Sequence, residues 1–506
     1  MRMMSLLRQL LNSPAASLGL ATLALHLWIN GSYDYFRDEL YFIVCGRHLA
    51  WGYVDQPPLV PLIAWASDGL FHSVRGLRLV PALAAAATVA LTVSAARMLG
   101  GGCYAGWLAG LAVLGGGVLQ LIGVLLTTDT LQPLTWLACA VAIIRAERER
   151  EPRWWWAVGV IAGVALLAKY MIAVYLGCLA AGLLATPQRR LLAQWQPWAA
   201  VLIALAIVTP NLAWQAANDW PFLAQSAQLA EHKNVPLSPA AFLLQEVLTL
   251  GPATAPVWLV GLVAFGFWRR FADLRWVAIG WVLLIAAMVA GHGKPYYPAS
   301  AYPLLMAGGA VALEAWLSRA LRAAFAVALV AGAALSAPLV MPVLPVEGFI
   351  VYQRWLGLQP STGERVTLGV LPQYFADMFG WRELAEAVGK AFAALPAEDQ
   401  RRAVFFGRNY GEAAAIDVFG APWSLPPAIS AHQTYFIWGP RGHDGSVVLL
   451  LGGTREVLLK RFRSVEPVGW LDNPWGMPYE SGQTLWLCRE SVEDLQQLWP
   501  RLRHYG

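Results

Sequence analysis

The residues best suited to chemistry stand early in the chain, in Tyr33-Asp34-Tyr35-Phe36-Arg37-Asp38-Glu39-Leu40-Tyr41-Phe42. Asp38 and Glu39 form an adjacent carboxylate pair between aromatic residues, with Arg37 before them and Arg47 further on. A carboxylate beside a membrane surface can take a proton as general base or stabilise developing positive charge. The pair equally suits the first turn of an amphipathic interfacial helix, which the pattern from Leu40 to Gly52 would continue. The segment then reads Tyr53-Val54-Asp55-Gln56-Pro57-Pro58-Leu59, where two prolines fix an extended turn that aims Asp55 and Gln56 in a defined direction.

Polar groups recur between later apolar runs. Asp129 lies in Thr127-Thr128-Asp129-Thr130-Leu131, and Lys169 with Tyr170 interrupts a hydrophobic pair. His232 and Lys233 fall in a long loop, and His292-Gly293-Lys294-Pro295-Tyr296-Tyr297-Pro298 follows another apolar run. A lysine among glycine, proline and tyrosines suits a phosphate and a sugar ring, lysine acting as a point charge and the aromatic faces as stacking surfaces. The structural alternatives are a snorkelling Lys169 and an aromatic belt with an anchoring Lys294.

The elements that must position these groups are hydrophobic. Of 506 residues, 58% are hydrophobic and 13% charged, against roughly a quarter charged in soluble domains. Runs long enough for lipid predict about eleven spans, near 14–30, 79–97, 103–126, 130–145, 154–168, 170–186, 197–212, 251–268, 275–291, 301–316 and 323–341. Basic turns are retained in the cytoplasm, so Arg2, Arg8, Arg97, Arg145, Arg148, Arg189, Arg190, Arg269, Arg270, Arg319 and Arg322 place the N-terminus inside. On that topology Arg37, Asp38, Asp55, Asp129, Lys169 and Lys294 all face outward. The first outer loop, 31–78, opposes the rule with Arg37, Arg47, Arg75 and Arg78. The formal net charge of +5 is then a topology signal rather than a sign of nucleic-acid binding. Pro14 to Ile29 has no convincing cleavage site after it and reads as an anchor. Five scattered cysteines indicate neither a zinc site nor a disulfide framework. After Met341 the composition turns globular, so we expect a transmembrane domain over 1–341 and a soluble extracytoplasmic α/β domain over 342–506.

A DE pair followed by an acidic-x-PPL turn resembles the protein O-mannosyltransferases and lipid A aminoarabinose transferases. The resemblance implies a mainly α polytopic membrane protein of the C-type glycosyltransferase fold. It further implies an inverting transferase in the bacterial inner membrane, with its active site facing outward. The donor would be a sugar on polyprenyl (undecaprenyl) phosphate and the acceptor an extracytoplasmic lipid, glycan or protein. Asp38 would activate the acceptor hydroxyl, with Glu39 shaping the site, while Lys169, Lys294 and Arg47 would neutralise the leaving phosphate. Arg37, Asp55, Gln56, Asp129, His232, His292, Tyr296 and Tyr297 complete the expected substrate-binding set. The acidic residues can hold a divalent cation, although no ligand set decides it.

Gln56 departs from the lysine usual before the paired prolines of aminoarabinose transferases, and no β-trefoil insertion of the eukaryotic mannosyltransferases is present. In the C-terminal part, Phe405 to Asp417 predicts a strand, a glycine turn that can cradle an anion, and a helix. The segment from Ser430 to Pro440, with His432, Tyr435 and Trp438, is expected to cover the site or meet the acceptor. The rival reading, a transporter or flippase of a lipid-linked sugar, would call for inverted repeats and mid-membrane charges, and the sequence shows neither.

Overall fold

The computed structural model describes residues 13–229, 231, 236–360 and 366–505. The chain forms two compact units, each assembled from separate stretches. One comprises Met1–Ser32, Phe71–Ala213 and Val235–Phe349; the other comprises Tyr33–Leu70, Trp214–Asn234 and Ile350–Gly506. The acidic segment that follows the first apolar run thus belongs with the C-terminal residues, not with the helices that flank it in sequence.

The first unit is helical, and each of the eleven apolar segments contains helix. Length and composition qualify four single helices to cross a membrane: Val74–Met98, Trp195–Ala217, Arg269–Ala290 and Arg319–Val340. Two bent pairs raise the number to six, Cys103–Leu114 with Gly117–Val124 at 64°, and Pro239–Leu250 with Pro252–Phe267 at 97°. The others, such as Pro14–Ile29, Arg153–Leu166 and Met171–Leu184, are shorter. Among the expected spans, 103–126 is therefore broken, and its sequence explains where. Gly115 and Gly116 interrupt the helix, and the Val113 carbonyl at its end accepts the Gly116 backbone N–H at 3.0 Å and the Gln120 side-chain amide at 2.8 Å. Within a membrane such a carbonyl needs a partner from the protein. The second elbow turns at Gly251, whose φ of 89° suits glycine.

Small residues bring helices into backbone contact. A Cβ on Gly261 would strike the Leu305 carbonyl and one on Gly309 that of Val257, so Ala255–Phe267 and Tyr302–Trp316 pack without intervening side chains. This is the packing that membrane helices use in place of a hydrophobic drive. At the end of Pro14–Ile29, Asn30 donates to the Arg78 carbonyl at 2.9 Å, and Arg78 donates back to the Asn30 carbonyl at 3.0 Å.

The second unit contains a five-stranded sheet. Its strands are β1 (Ala403–Gly407), β2 (Ile429–Ser430), β3 (Val447–Leu451), β4 (Phe462–Leu471) and β5 (Gln483–Ser491). Their order is β2-β1-β3-β5-β4, with β1 parallel to β2 and β3, and β5 antiparallel to β3 and β4. Val404, Ile429, Val448, Val465 and Cys488 fill one face together with Trp499. The helix Tyr410–Phe419 after β1 packs on the helix Arg37–Arg47, where a Cβ on Gly411 would run into the Arg37 side chain. Arg37–Arg47 in turn packs on Leu59–Phe71, and a Cβ on Gly46 would lie 2.8 Å from the Pro61 carbonyl oxygen.

Candidate active site

The two adjacent carboxylates divide their work. Extended backbone at Phe36 starts the helix Arg37–Arg47. Glu39, fully buried, accepts the Phe36 backbone N–H at 2.9 Å. That bond satisfies a donor otherwise orphaned at a helix start. Asp38 points the other way, its side chain 32% exposed. Its Oδ1 accepts the Tyr410 hydroxyl at 2.5 Å.

Arg37 is tied into the same network. Its guanidinium donates to the Tyr479 hydroxyl at 2.8 Å, stands 3.4 Å from Asp377 Oδ2 and 3.8 Å from Asp38 Oδ1, and lies over the Tyr410 ring. Burial works against its charge, yet Asp377, Tyr410, Tyr479 and Asp38 hold it well above the ordinary arginine value. The Arg37 backbone N–H donates to the Asp377 carbonyl at 2.9 Å. Asp34 pairs with Arg382 at 2.5 Å, and the Tyr33 ring packs on Phe375 and Phe379. The acidic segment is therefore held in place by residues more than 300 positions away.

Asp55 meets the Tyr41 hydroxyl at 2.8 Å, and that hydroxyl also lies 2.6 Å from Thr434 Oγ1. Burial pushes the Asp55 carboxyl up to about 7; the Tyr41 hydrogen bond works against the rise and the nearby Asp38 charge adds to it. Gln56 is fully buried. Arg47 donates to the Asp417 carbonyl at 2.8 Å and lies 3.5 Å from Asp68 Oδ2.

Within the first unit, Asp129 and Lys169 come together. Lys169 Nζ lies 2.8 Å from both Asp129 oxygens, and Gln132 donates to Oδ1 at 2.8 Å. The ammonium also faces the Tyr297 ring, 4.7 Å from its centre. Tyr297 packs edge-on against Tyr296, and its backbone N–H donates to the Lys294 carbonyl at 3.0 Å. His292 is exposed, with φ of 50°. His232 lies outside the described residues. No group of three or more His, Cys, Asp or Glu that could hold a metal ion occurs among the described residues.

In the glycine turn after β1, two backbone donors are taken by side chains of the turn itself. Asn409 accepts the Glu412 backbone N–H at 3.0 Å, and buried Glu412 accepts the Arg408 backbone N–H at 2.8 Å and the Arg408 guanidinium. Sequence reasoning misses Asp377, Tyr410, Thr434 and Tyr479 as neighbours of the acidic segment. The stretches around Tyr410 and Thr434 stand out in the sequence, but no local pattern says which loop they touch.

Residues 55–214 match the sequence pattern of the family described as dolichyl-phosphate-mannose-protein mannosyltransferase. In structure, the chain is similar to ArnT from Cupriavidus metallidurans bound to undecaprenyl phosphate, with a TM-score of 0.60 at 15% identity over 94% of this chain and 97% of that one. ArnT from the same organism in the apo state gives 0.61 at 14% identity over the same shares. The fold is that of the C-type membrane glycosyltransferases. The chain resembles the mannosyltransferase family in sequence over residues 55–214 and ArnT in fold. No curated protein matches it in a sequence search.

Proposed function

We propose that this C-type chain is a membrane glycosyltransferase that moves a sugar from a polyprenyl phosphate to an extracytoplasmic lipid, glycan or protein, with its active site on the outer face of a bacterial inner membrane. The observation that carries the reading is the setting of Asp38. It is a solvent-reaching carboxylate on a helix held by its own cap, in a chain whose fold matches ArnT along nearly its whole length. That ArnT is bound to undecaprenyl phosphate, a lipid of the class proposed here as donor carrier.

In the proposed reaction the acceptor hydroxyl oxygen bonds to the anomeric carbon as the bond from that carbon to the phosphate oxygen breaks. The electron pair leaves with the polyprenyl phosphate, and the hydroxyl proton passes to Asp38. A direct displacement inverts the anomeric centre. Phosphate neutralisation is assigned to Lys294 and Lys169, because cations aimed at developing charge lower the barrier. Lys169 already balances Asp129, which lowers the net charge it brings to a phosphate. The Asp55 carboxyl, pushed up to about 7 by burial, suits a hydrogen-bonding role toward a sugar hydroxyl.

The test begins with mass spectrometry of envelope lipids, glycans and proteins from a deletion strain, to find the conjugate that loses a sugar. The wild-type chain should restore it and Asp38→Asn should not. Full restoration by Asp38→Asn would remove Asp38 from the reaction, and a deletion strain with an unchanged conjugate profile would remove the transferase reading.

A further inference from the structure

We propose that Tyr410, in the C-terminal part of the chain, is a positioning residue for Asp38: its hydroxyl fixes the carboxylate's orientation for proton abstraction. The inference rests on the role given to Asp38 above.

Three observations support it. The hydroxyl sits 2.5 Å from Asp38 Oδ1. A hydrogen bond to a carboxylate is about twice as strong as one between neutral groups, and it favours the charged form. The phenol is also fixed in direction on several sides. Its ring packs on Tyr41 at 4.8 Å and on His432 at 5.1 Å, and Arg37 lies over it at 5.3 Å. Finally, the helix that begins at Tyr410 is anchored. Asn409 caps it, and buried Glu412 is bonded to Arg408, whose guanidinium donates to the Tyr479 carbonyl at 2.9 Å. Gly411 leaves Arg37 room to lie alongside, and Asp377 and Tyr479 hold Arg37 there.

A tyrosine that merely filled space would show none of this specificity in its hydroxyl. Burial, with the Asp38 charge beside it, raises the Tyr410 hydroxyl well above the ordinary tyrosine value, although Arg37 opposes the rise. It therefore stays a donor across the working pH range. Asp38 is faced by Arg37 and Tyr410, with Asp55 also close enough to sense its charge. Replacing Tyr410 by phenylalanine removes one donor and leaves Arg37 in place.

The experiment compares wild type with Tyr410→Phe as full-length purified protein. The Asp38 carboxylate band is isolated by infrared subtraction of the matching Asp38→Asn protein. Its stretching frequency should shift in Tyr410→Phe as the phenol hydrogen bond is lost, and an unshifted band overturns the proposal. Transfer in membranes of the deletion strain should fall about 10- to 100-fold, with the unfolding temperature nearly unchanged; full activity also overturns it. Should Tyr410→Phe fail to fold, ring-labelled Tyr410 is followed instead in wild type and Asp38→Asn. Its C–O stretch should shift when the carboxylate is lost, and an unshifted band is decisive against the contact. A wild-type chain that transfers no sugar would end the transferase reading, while the infrared arms would still decide the placement of Tyr410.

Discussion

Asp38 and Asp129 are both acidic residues at the mouths of apolar segments, and their surroundings differ in kind. Asp129 is matched by a cation, with Lys169 on both of its oxygens and Gln132 beside it. Asp38 instead meets a phenol at 2.5 Å and a guanidinium no closer than 3.8 Å, whose better partner is Asp377. A carboxylate neutralised by a lysine is a poor base, whereas one oriented by a neutral donor keeps lone pairs for a substrate proton. The difference separates a group fixed by charge from a group left available for chemistry.

The largest effect expected from this comparison is on activity. Asp38→Asn should lower transfer by about 10²- to 10⁴-fold, the usual range for a lost general base, measured as conjugate formed in deletion-strain membranes. Asp129→Asn should cost less in rate. An equal loss from both would break the distinction.

Next comes stability in the first unit. Lys169→Met strands a largely buried carboxylate and should cost about 3 kcal/mol, read as a lower unfolding temperature by tryptophan fluorescence. The pairing of Lys169→Met with Asp129→Asn should recover most of that loss. If Lys169→Met leaves the unfolding temperature alone but abolishes transfer, Lys169 serves the substrate rather than Asp129.

Asp55 offers a pH-dependent test. Burial raises its carboxyl from the ordinary range near 4 to about 7 in the folded chain. The folded state thus binds the proton more tightly than the unfolded state. Its contribution favours folding below about pH 4 and is lost as pH rises through about 7. Asp55→Asn should accordingly flatten the stability profile between those values and raise the unfolding temperature at pH 8 relative to wild type. A profile unchanged by the substitution would show that the carboxyl is better solvated than its surroundings indicate.

The smallest effect expected is at the end of the helix that carries Tyr410. Asn409→Ala removes its cap and should cost about 1 kcal/mol, visible as a modest fall in unfolding temperature. A loss of transfer much larger than that stability change would mean that the cap also governs the aim of Tyr410.

Hydrophobic length makes the helices legible in the sequence, since a run of apolar residues needs no distant partner to be read. The breaks are harder to see. Gly115 and Gly116 sit inside a run that looks continuous, and the elbow at Gly251 depends on the preceding helix Pro239–Leu250, which is too short and mixed to stand out. Among the candidate residues, Asp38, Asp129 and Lys169 can be named from their types and surroundings. That Lys169 pairs with Asp129 cannot, because 40 residues and a turn of the fold separate them. Tyr410 is still less visible. Its 372-residue distance from Asp38 leaves no periodicity or spacing to connect them, and only the packing of Tyr410–Phe419 on Arg37–Arg47 brings the phenol to the acid.

The reciprocal bonds between Asn30 and Arg78 have a consequence for how such a chain can change. They pin the departure and the return of the intervening segment to one another, so the helices on either side do not register how much chain lies between. Length changes are cheap, at the modest entropic cost of a longer or shorter loop, only in the turns of that excursion. Its acidic helix is fixed separately, by Asp34 on Arg382 and Arg37 on Asp377, so the clamp sets where the segment leaves and returns while those partners set its content.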